Sequence, residues 1–240
     1  MNTGLIGHRR WVGGMLVILA LWGVIGCDSS SPNEADLRAV HLSPDAPALD
    51  VFWGGAQRLI QGLSFPNGTP YQQVDSGTAT FEISPTGATP ADSIVRFQDV
   101  VLMEDAAYTM VIYDVVATAA GLLLEDDLSS PQSGNIRLRV MHAAAGLGPV
   151  DIFNILAAGS PSLLYDNLNV GAAGGAVELP AGTYRLGIDV TNDGVSEHVF
   201  ALPNLNVGDI VNLFATTDNG NNVFLLLQLA DSRTMRIDSS

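Results

Sequence analysis

Lysine is absent from this 240-residue chain; all ten basic residues are arginine. That excludes a Schiff-base lysine, a P-loop lysine and a Ser–Lys dyad. Cysteine occurs once, at Cys27, so an intrachain disulfide, a cysteine-based zinc site and a redox pair are all excluded. Bases are scarce against 25 acids, and the formal net charge is −15. A folded surface of that sign lacks the basic patches that nucleic acid and anionic lipid require, so no nucleic-acid partner is expected. Histidine is limited to His8, His41, His142 and His198, with no His-x-His or His-x-x-x-His spacing. No metal centre and no cofactor is therefore expected. A long hydrophobic run is missing too. Trp11 to Gly26 is uncharged for 16 residues but broken by Gly13, Gly14 and Gly23, short of the ~20 apolar residues of a spanning helix.

That N-terminal stretch has another use. His8, Arg9 and Arg10 precede it, and "LWGVIGCDSSSP" ends it by turning abruptly polar. The layout is that of a secretory signal peptide over residues 1–26. Val24-Ile25-Gly26-Cys27 resembles a bacterial lipobox. The resemblance implies cleavage before Cys27, a diacylglyceryl thioether on its sulfur and N-acylation, which together anchor a protein stably. Residues 27–35 then read as a polar tether. Asp28 after the lipidated cysteine resembles an inner-membrane retention signal, so the expected place is the bacterial cell envelope, at the outer membrane or cell surface, with the inner membrane as the alternative.

The rest of the chain contains one unit twice. "LRAVHLSPDAPALDVFW" (Leu37–Trp53) aligns without a gap to "LRVMHAAAGLGPVDIFN" (Leu138–Asn154), matching Leu37/Leu138, Arg38/Arg139, His41/His142, Asp50/Asp151 and Phe52/Phe153. Further on, Gly77-Thr78 falls over Gly182-Thr183, and Asp127 over Asp231. The order is kept throughout, as in a tandem duplication. The units are read as 36–128 and 135–232, with a linker at 129–134 and a C-terminal tail at 233–240.

Each unit reads as β. In "TATFEIS" Ala79, Phe81 and Ile83 alternate with Thr78, Thr80 and Glu82; in "TYRLGIDV" Tyr184, Leu186, Ile188 and Val190 alternate with polar or small residues. That period of two marks strands with one buried face. Turn clusters such as "SPDAP", "FPNGTP", "TNDG" and "TDNGNN" separate the strands. The expected fold is all-β, two tandem immunoglobulin-like β-sandwich domains.

"VHLSPDAPALDVFW", a strand opened by Gly-Thr, "AYTMVIYD", and an acidic segment leading into "IRLRVMHAAAGLGPVDIF" together resemble the bacterial "domain of unknown function 4397" family. The resemblance covers both units and implies an immunoglobulin-like β fold in secreted proteins and lipoproteins. It implies no established activity.

Three groups of residues bear on chemistry. His41, Ser43 and Asp50 are the residue types of a hydrolase triad. His142 and Asp151 repeat the pair at the same spacing of nine, but Ala144 stands at the serine position. Keeping His and Asp while dropping Ser points to a structural His–Asp contact that pins a hairpin, with no catalytic residue. "LEDDLSS", "TNDG" and "TDNGNN" offer oxygens to calcium but lack EF-hand spacing, and read as solvated turns. The glycine-rich "GAAGGA" (Gly171–Ala176) has no lysine and reads as a flexible loop. Trp53 falls on the face of Leu49 and Val51, so it reads as a core residue rather than a glycan platform.

The sequence thus points to a non-enzymatic lipoprotein. It would be held to the membrane by the lipid on Cys27 and would serve as a structural or binding module for a surface ligand or protein partner. The alternatives are a hydrolase using His41, Ser43 and Asp50, or a calcium-stabilised adhesin-like stalk.

Overall fold

The computed structural model describes residues 1, 33–155 and 160–240. The expected signal peptide and Cys27 lie outside them. The described chain forms two blocks of strands. The first holds β1 (Glu34–Leu42), β2 (Leu49–Trp53), β3 (Gln57–Leu63), β4 (Asn67–Gly68), β5 (Gln72–Asp75), β6 (Gly77–Pro85), β7 (Val95–Leu102), β8 (Ala107–Tyr113) and β9 (Ala120–Asp126). The second holds β10 (Asn135–His142), β11 (Val150–Asn154), β12 (Ser162–Leu168), β13 (Val177–Pro180), β14 (Arg185–Asp189), β15 (His198–Ala201), β16 (Ile210–Thr217), β17 (Val223–Leu229) and β18 (Thr234–Asp238). Among the described residues no helix is long and apolar enough to cross a membrane.

The strands make four sheets. In the first block β3-β2-β6-β7 is one sheet, and β4-β1-β8-β9, with β5 also on β1, is the other. In the second block the sheets are β12-β11-β14-β15 and β13-β10-β16-β17-β18. The two blocks share a core pairing plan, down to a parallel pair at the centre, β1 with β8 and β10 with β16; β18 has no counterpart in the first block, where β4 and β5 both pair with β1.

Within each block the two sheets face each other as a sandwich. Leu37 and Ala39 of β1 meet Phe81 and Ile83 of β6 in one core. Leu138 and Val140 of β10 meet Leu186 and Ile188 of β14 in the other. A third apolar layer lies between the blocks. It joins Val40, Leu42, Val111 and Leu124 of the first to Met141, Ala143, Phe214, Phe224 and Leu226 of the second. The sheets containing β1 and β10 are therefore covered on both faces, and the two blocks form a stack of four sheets. No disulfide is available, so the stack rests on burial, worth ~1.5–3 kcal/mol for each fully buried large side chain.

This stacking explains which strands show a period of two. The apolar face of β6 (Ala79, Phe81, Ile83) is buried as the alternation indicates. From Leu37 onward, by contrast, β1 is buried at nearly every position. Strands covered on both faces read as continuous apolar runs.

One expectation needs correction. The order within the sheets departs from the immunoglobulin one. An immunoglobulin sandwich places its first two strands together in one sheet; here β1 and β2 lie in different sheets. The C-terminal tail, residues 233–240, carries a strand: β18 pairs antiparallel with β17, and Ile237 is buried in the second core.

Candidate functional site

The residues that match between the two blocks each have partners close by. His41, at the end of β1, is fully buried. Its Nδ1 accepts the Ser43 N–H at 3.2 Å, and its Nε2 faces the Pro47 carbonyl at 3.1 Å. His142 repeats this with the Ala144 N–H at 3.3 Å and the Gly148 carbonyl at 3.0 Å. Only the neutral ring with its proton on Nε2 both accepts at Nδ1 and donates from Nε2 to a carbonyl. Burial pushes both histidines below their ordinary pKa, against the smaller opposing pull of the carbonyl each faces. Each imidazole thus closes the loop after its strand.

Asp50 and Asp151 do a different job. Each accepts a backbone N–H from the neighbouring strand: Gly62 at 2.8 Å for Asp50, Asn167 at 2.6 Å for Asp151. Gly62 (φ 70°) and Asn167 (φ 52°) are both left-handed, and both sit where the register slips. Each carboxylate therefore ties down a β-bulge. Asp50 also accepts Thr86 Oγ1 at 2.9 Å and the Gly87 N–H at 3.3 Å, and faces Arg58 at 3.3 Å. Burial alone would raise its pKa; the three hydrogen bonds and Arg58 outweigh that and hold it below the ordinary carboxylate value. In the second block the matching turn is held by Asp189, which accepts the N–H groups of Thr191, Asn192 and Gly194.

The expected His–Asp contact is thus replaced by two separate anchors, one on the loop and one on the bulge. The triad geometry does not assemble either. Both nitrogens of His41 are engaged with backbone, Asp50 bonds elsewhere, and the Ser43 hydroxyl is buried without a hydrogen-bond partner.

The acidic loops hold themselves. Asp127 accepts Ser129 N–H and Oγ, and Asp218 accepts the N–H groups of Gly220 and Asn222. Asp189, Asp193 and Glu197 bring carboxylate oxygens within 4.8 Å of one another; Asp189 and Glu197 are acceptors for N–H groups of their own loop. "GAAGGA" is packed rather than free. Gly171 donates to the His142 carbonyl, Gly174 donates to that of Val140, and Ala173 pairs with Met141. Trp53 packs on the first core and stacks on Phe81 at 6.4 Å.

The most concentrated polar chemistry lies between the blocks. Arg38 is 2% exposed. It donates from Nε to Thr109 Oγ1 at 2.8 Å and from Nη1 to the Leu229 carbonyl at 2.7 Å, and its Nη2 lies 3.5 Å from Asp126 Oδ2. Arg139 donates from Nε to Asn212 Oδ1 at 3.1 Å, from Nη1 to the Glu125 carbonyl at 2.8 Å, and from Nη2 to Asp126 Oδ1. Thr109 and Tyr71 also donate to Oδ2, and Asn212 to Oδ1. Tyr71 lies under the Arg38 guanidinium at 4.4 Å from its ring centroid. Burial lowers the Arg38 pKa, with Asp126 opposing; burial and then the Asp126 charge raise that of Tyr71. Sequence reading paired Arg38 with Arg139 but missed Asp126, Tyr71, Thr109 and Asn212. An arginine repeated inside an apolar strand was the available signal, because a buried guanidinium requires a partner.

Fold and junction define a class: an all-β chain of two stacked sandwiches joined through a buried charge network. Residues 35–153 match the family described as "Domain of unknown function (DUF4397)". No curated protein matches the chain. Among solved structures, the Bacillus anthracis TIE protein overlaps with a TM-score of 0.25 at 8% identity, over 77% of this chain and 34% of that one. The chain thus spans about a third of that protein's length. A structure titled "Alpha-glucan binding by a streptococcal virulence factor" overlaps with a TM-score of 0.26 at 12% identity, over 80% of this chain and 95% of that one. Overlaps this small carry no functional inference.

Proposed function

We propose that this protein is a non-catalytic structural or binding module of the bacterial cell envelope, held to a membrane by lipid on Cys27 and built by tandem duplication of one β-sandwich unit. The observation that carries the non-catalytic part is where the repeated polar residues go. His41 and His142 close loops, Asp50 and Asp151 tie bulges, and Arg38 and Arg139 join the blocks. None of these repeated residues is left over for chemistry. The shared pairing plan supports duplication, and the Gly26-Cys27 junction supports the anchor.

Replacing Cys27 by Ser tests the anchor. The wild-type chain is expected in the membrane fraction with an incorporated acyl label; the variant is expected unlabelled and in the soluble fraction. A variant that fractionates and labels as wild type does contradicts the proposal.

A further inference from the structure

The two arginine sites match group for group, with one difference in what covers them. Arg38 and Arg139 each donate to the side chain beside them on the parallel strand, Thr109 or Asn212, and to a carbonyl of the opposite block, Leu229 or Glu125. The covering position is fixed by register. Gln72 pairs with Leu37 and Val177 pairs with Leu138, so Tyr71 and Ala176, one residue earlier in each, are equivalents. Tyr71 lays its ring on Arg38 and directs its hydroxyl to Asp126. Ala176 has no ring to offer. Beside Arg139 there is instead a cavity of about 180 Å³, lined by Ala176, Arg137, Arg139, Asp126, Ile210 and Asn212.

We infer that this cavity is a binding site for a small planar phenol, which would lie on the Arg139 guanidinium as the Tyr71 side chain lies on Arg38. The size is adequate, since a cavity of ~150 Å³ admits a benzene ring. The chemistry is adequate as well. A guanidinium attracts an aromatic face, Arg139 is held in place by three hydrogen bonds, and Asn212 Nδ2, which gives one hydrogen to Asp126, has a second for a hydroxyl. An aliphatic ring of the same size offers no π face and would gain less. Glu125, Asp126 and Asp127 border the cavity and disfavour anionic ligands, so the neutral phenol is the form admitted.

The probe is p-cresol, the free equivalent of a tyrosine side chain, added to the full chain. Saturable one-to-one binding is expected, with a rise in melting temperature. Cyclohexylmethanol should bind at least tenfold more weakly. Ala176→Tyr should fill the cavity from within, abolish p-cresol binding and raise the melting temperature without ligand. The proposal is overturned if p-cresol fails to bind, if Ala176→Tyr binds it as wild type does, or if the aliphatic alcohol binds equally. A lowered melting temperature in Ala176→Tyr would show that the cavity does not accept a ring, and would overturn it equally.

Discussion

Arg38 and Arg139 reach opposite oxygens of a single carboxylate, Asp126: Arg38 approaches Oδ2 and Arg139 donates to Oδ1. The arginines stand at equivalent places in the two blocks, but the acid is not duplicated. Leu229 of β17 takes the place of Glu125 of β9, which sets Ala230 where Asp126 would recur. One aspartate therefore serves two cations, and it lies in the layer that holds the blocks together. This makes the pair of sandwiches a joined body rather than two beads.

Removing that carboxylate should be costly. Asp126→Ala leaves Arg38 buried without its counter-charge, and breaking a buried pair in this way costs about 3–5 kcal/mol. Urea denaturation at neutral pH measures it. Replacing the network together, with Arg38→Met, Asp126→Leu and Arg139→Met, should recover much of the loss, because apolar side chains of similar volume leave no unpaired charge.

Stability should fall on mild acidification, through the histidines. Burial sets the folded-state pKa of His41 and His142 below the ordinary value. The unfolded chain therefore binds protons first. Stability is fully present above about pH 6.5 and is lost as pH falls below it towards the folded pKa. Asp50, whose folded pKa is lowered, contributes in a separate window: its stabilisation is present above about pH 4 and is lost below. Denaturation midpoints from about pH 8 to about pH 2 should slope downward, and the double variant His41→Gln, His142→Gln should flatten the part above about pH 4 only.

Asp50 and Asp151 should differ in cost. Asp50→Ala strands the N–H groups of Gly62 and Gly87 and the Thr86 hydroxyl. Gly62, Thr86 and Gly87 are themselves exposed, so water can replace the carboxylate and each lost bond costs ~0.5–1.5 kcal/mol. Asp151→Ala strands the Asn167 N–H, and Asp189 still holds the turn. Melting temperatures should rank wild type above Asp151→Ala above Asp50→Ala. Hydrogen exchange at Gly62 and Asn167 should report each bulge individually.

Gly171 should resist substitution. Its φ is +80°, and a Cβ there would lie 2.2 Å from the Tyr113 hydroxyl of the other block. Gly171→Ala combines a left-handed backbone with overpacking at the junction, a cost of about 1–3 kcal/mol. Thermal unfolding measures it; Gly148→Ala, where a Cβ meets open space, is the control.

Much of the fold was legible because β6 and β14 carry their large apolar side chains at every second position, Ala79, Phe81 and Ile83 in one and Leu186 and Ile188 in the other. The residues that match between the blocks were legible because local geometry fixes them: a histidine that closes its own loop and an aspartate that ties the next strand. The sheet order was not. Strand number and spacing are common to several sandwiches, and pairing β1 with β8 is decided by contacts 71 residues apart in the chain. β18 was hidden because its pattern is short and charged, with only Ile237 buried. The junction was half visible. Arg38 and Arg139 stood out by repetition, but Asp126 is unique to the first unit, and comparing the units cannot expose what only one of them has. "GAAGGA" reads as slack when only composition is seen; its glycines admit Tyr113 and Tyr165 at close range.

The central claim is that the two sandwiches fold as one stack through the layer containing Asp126. With Trp11 and Trp22 replaced by Phe, Trp53 is the only tryptophan left and lies in the first block, whereas far-ultraviolet circular dichroism reports both blocks. The decisive measurement is urea unfolding followed by both signals on one sample, with and without Asp126→Ala. The account requires coincident transitions in the parent, both moved to lower urea by the substitution. Separate transitions in the parent, with the Trp53 midpoint unmoved by Asp126→Ala, would contradict it.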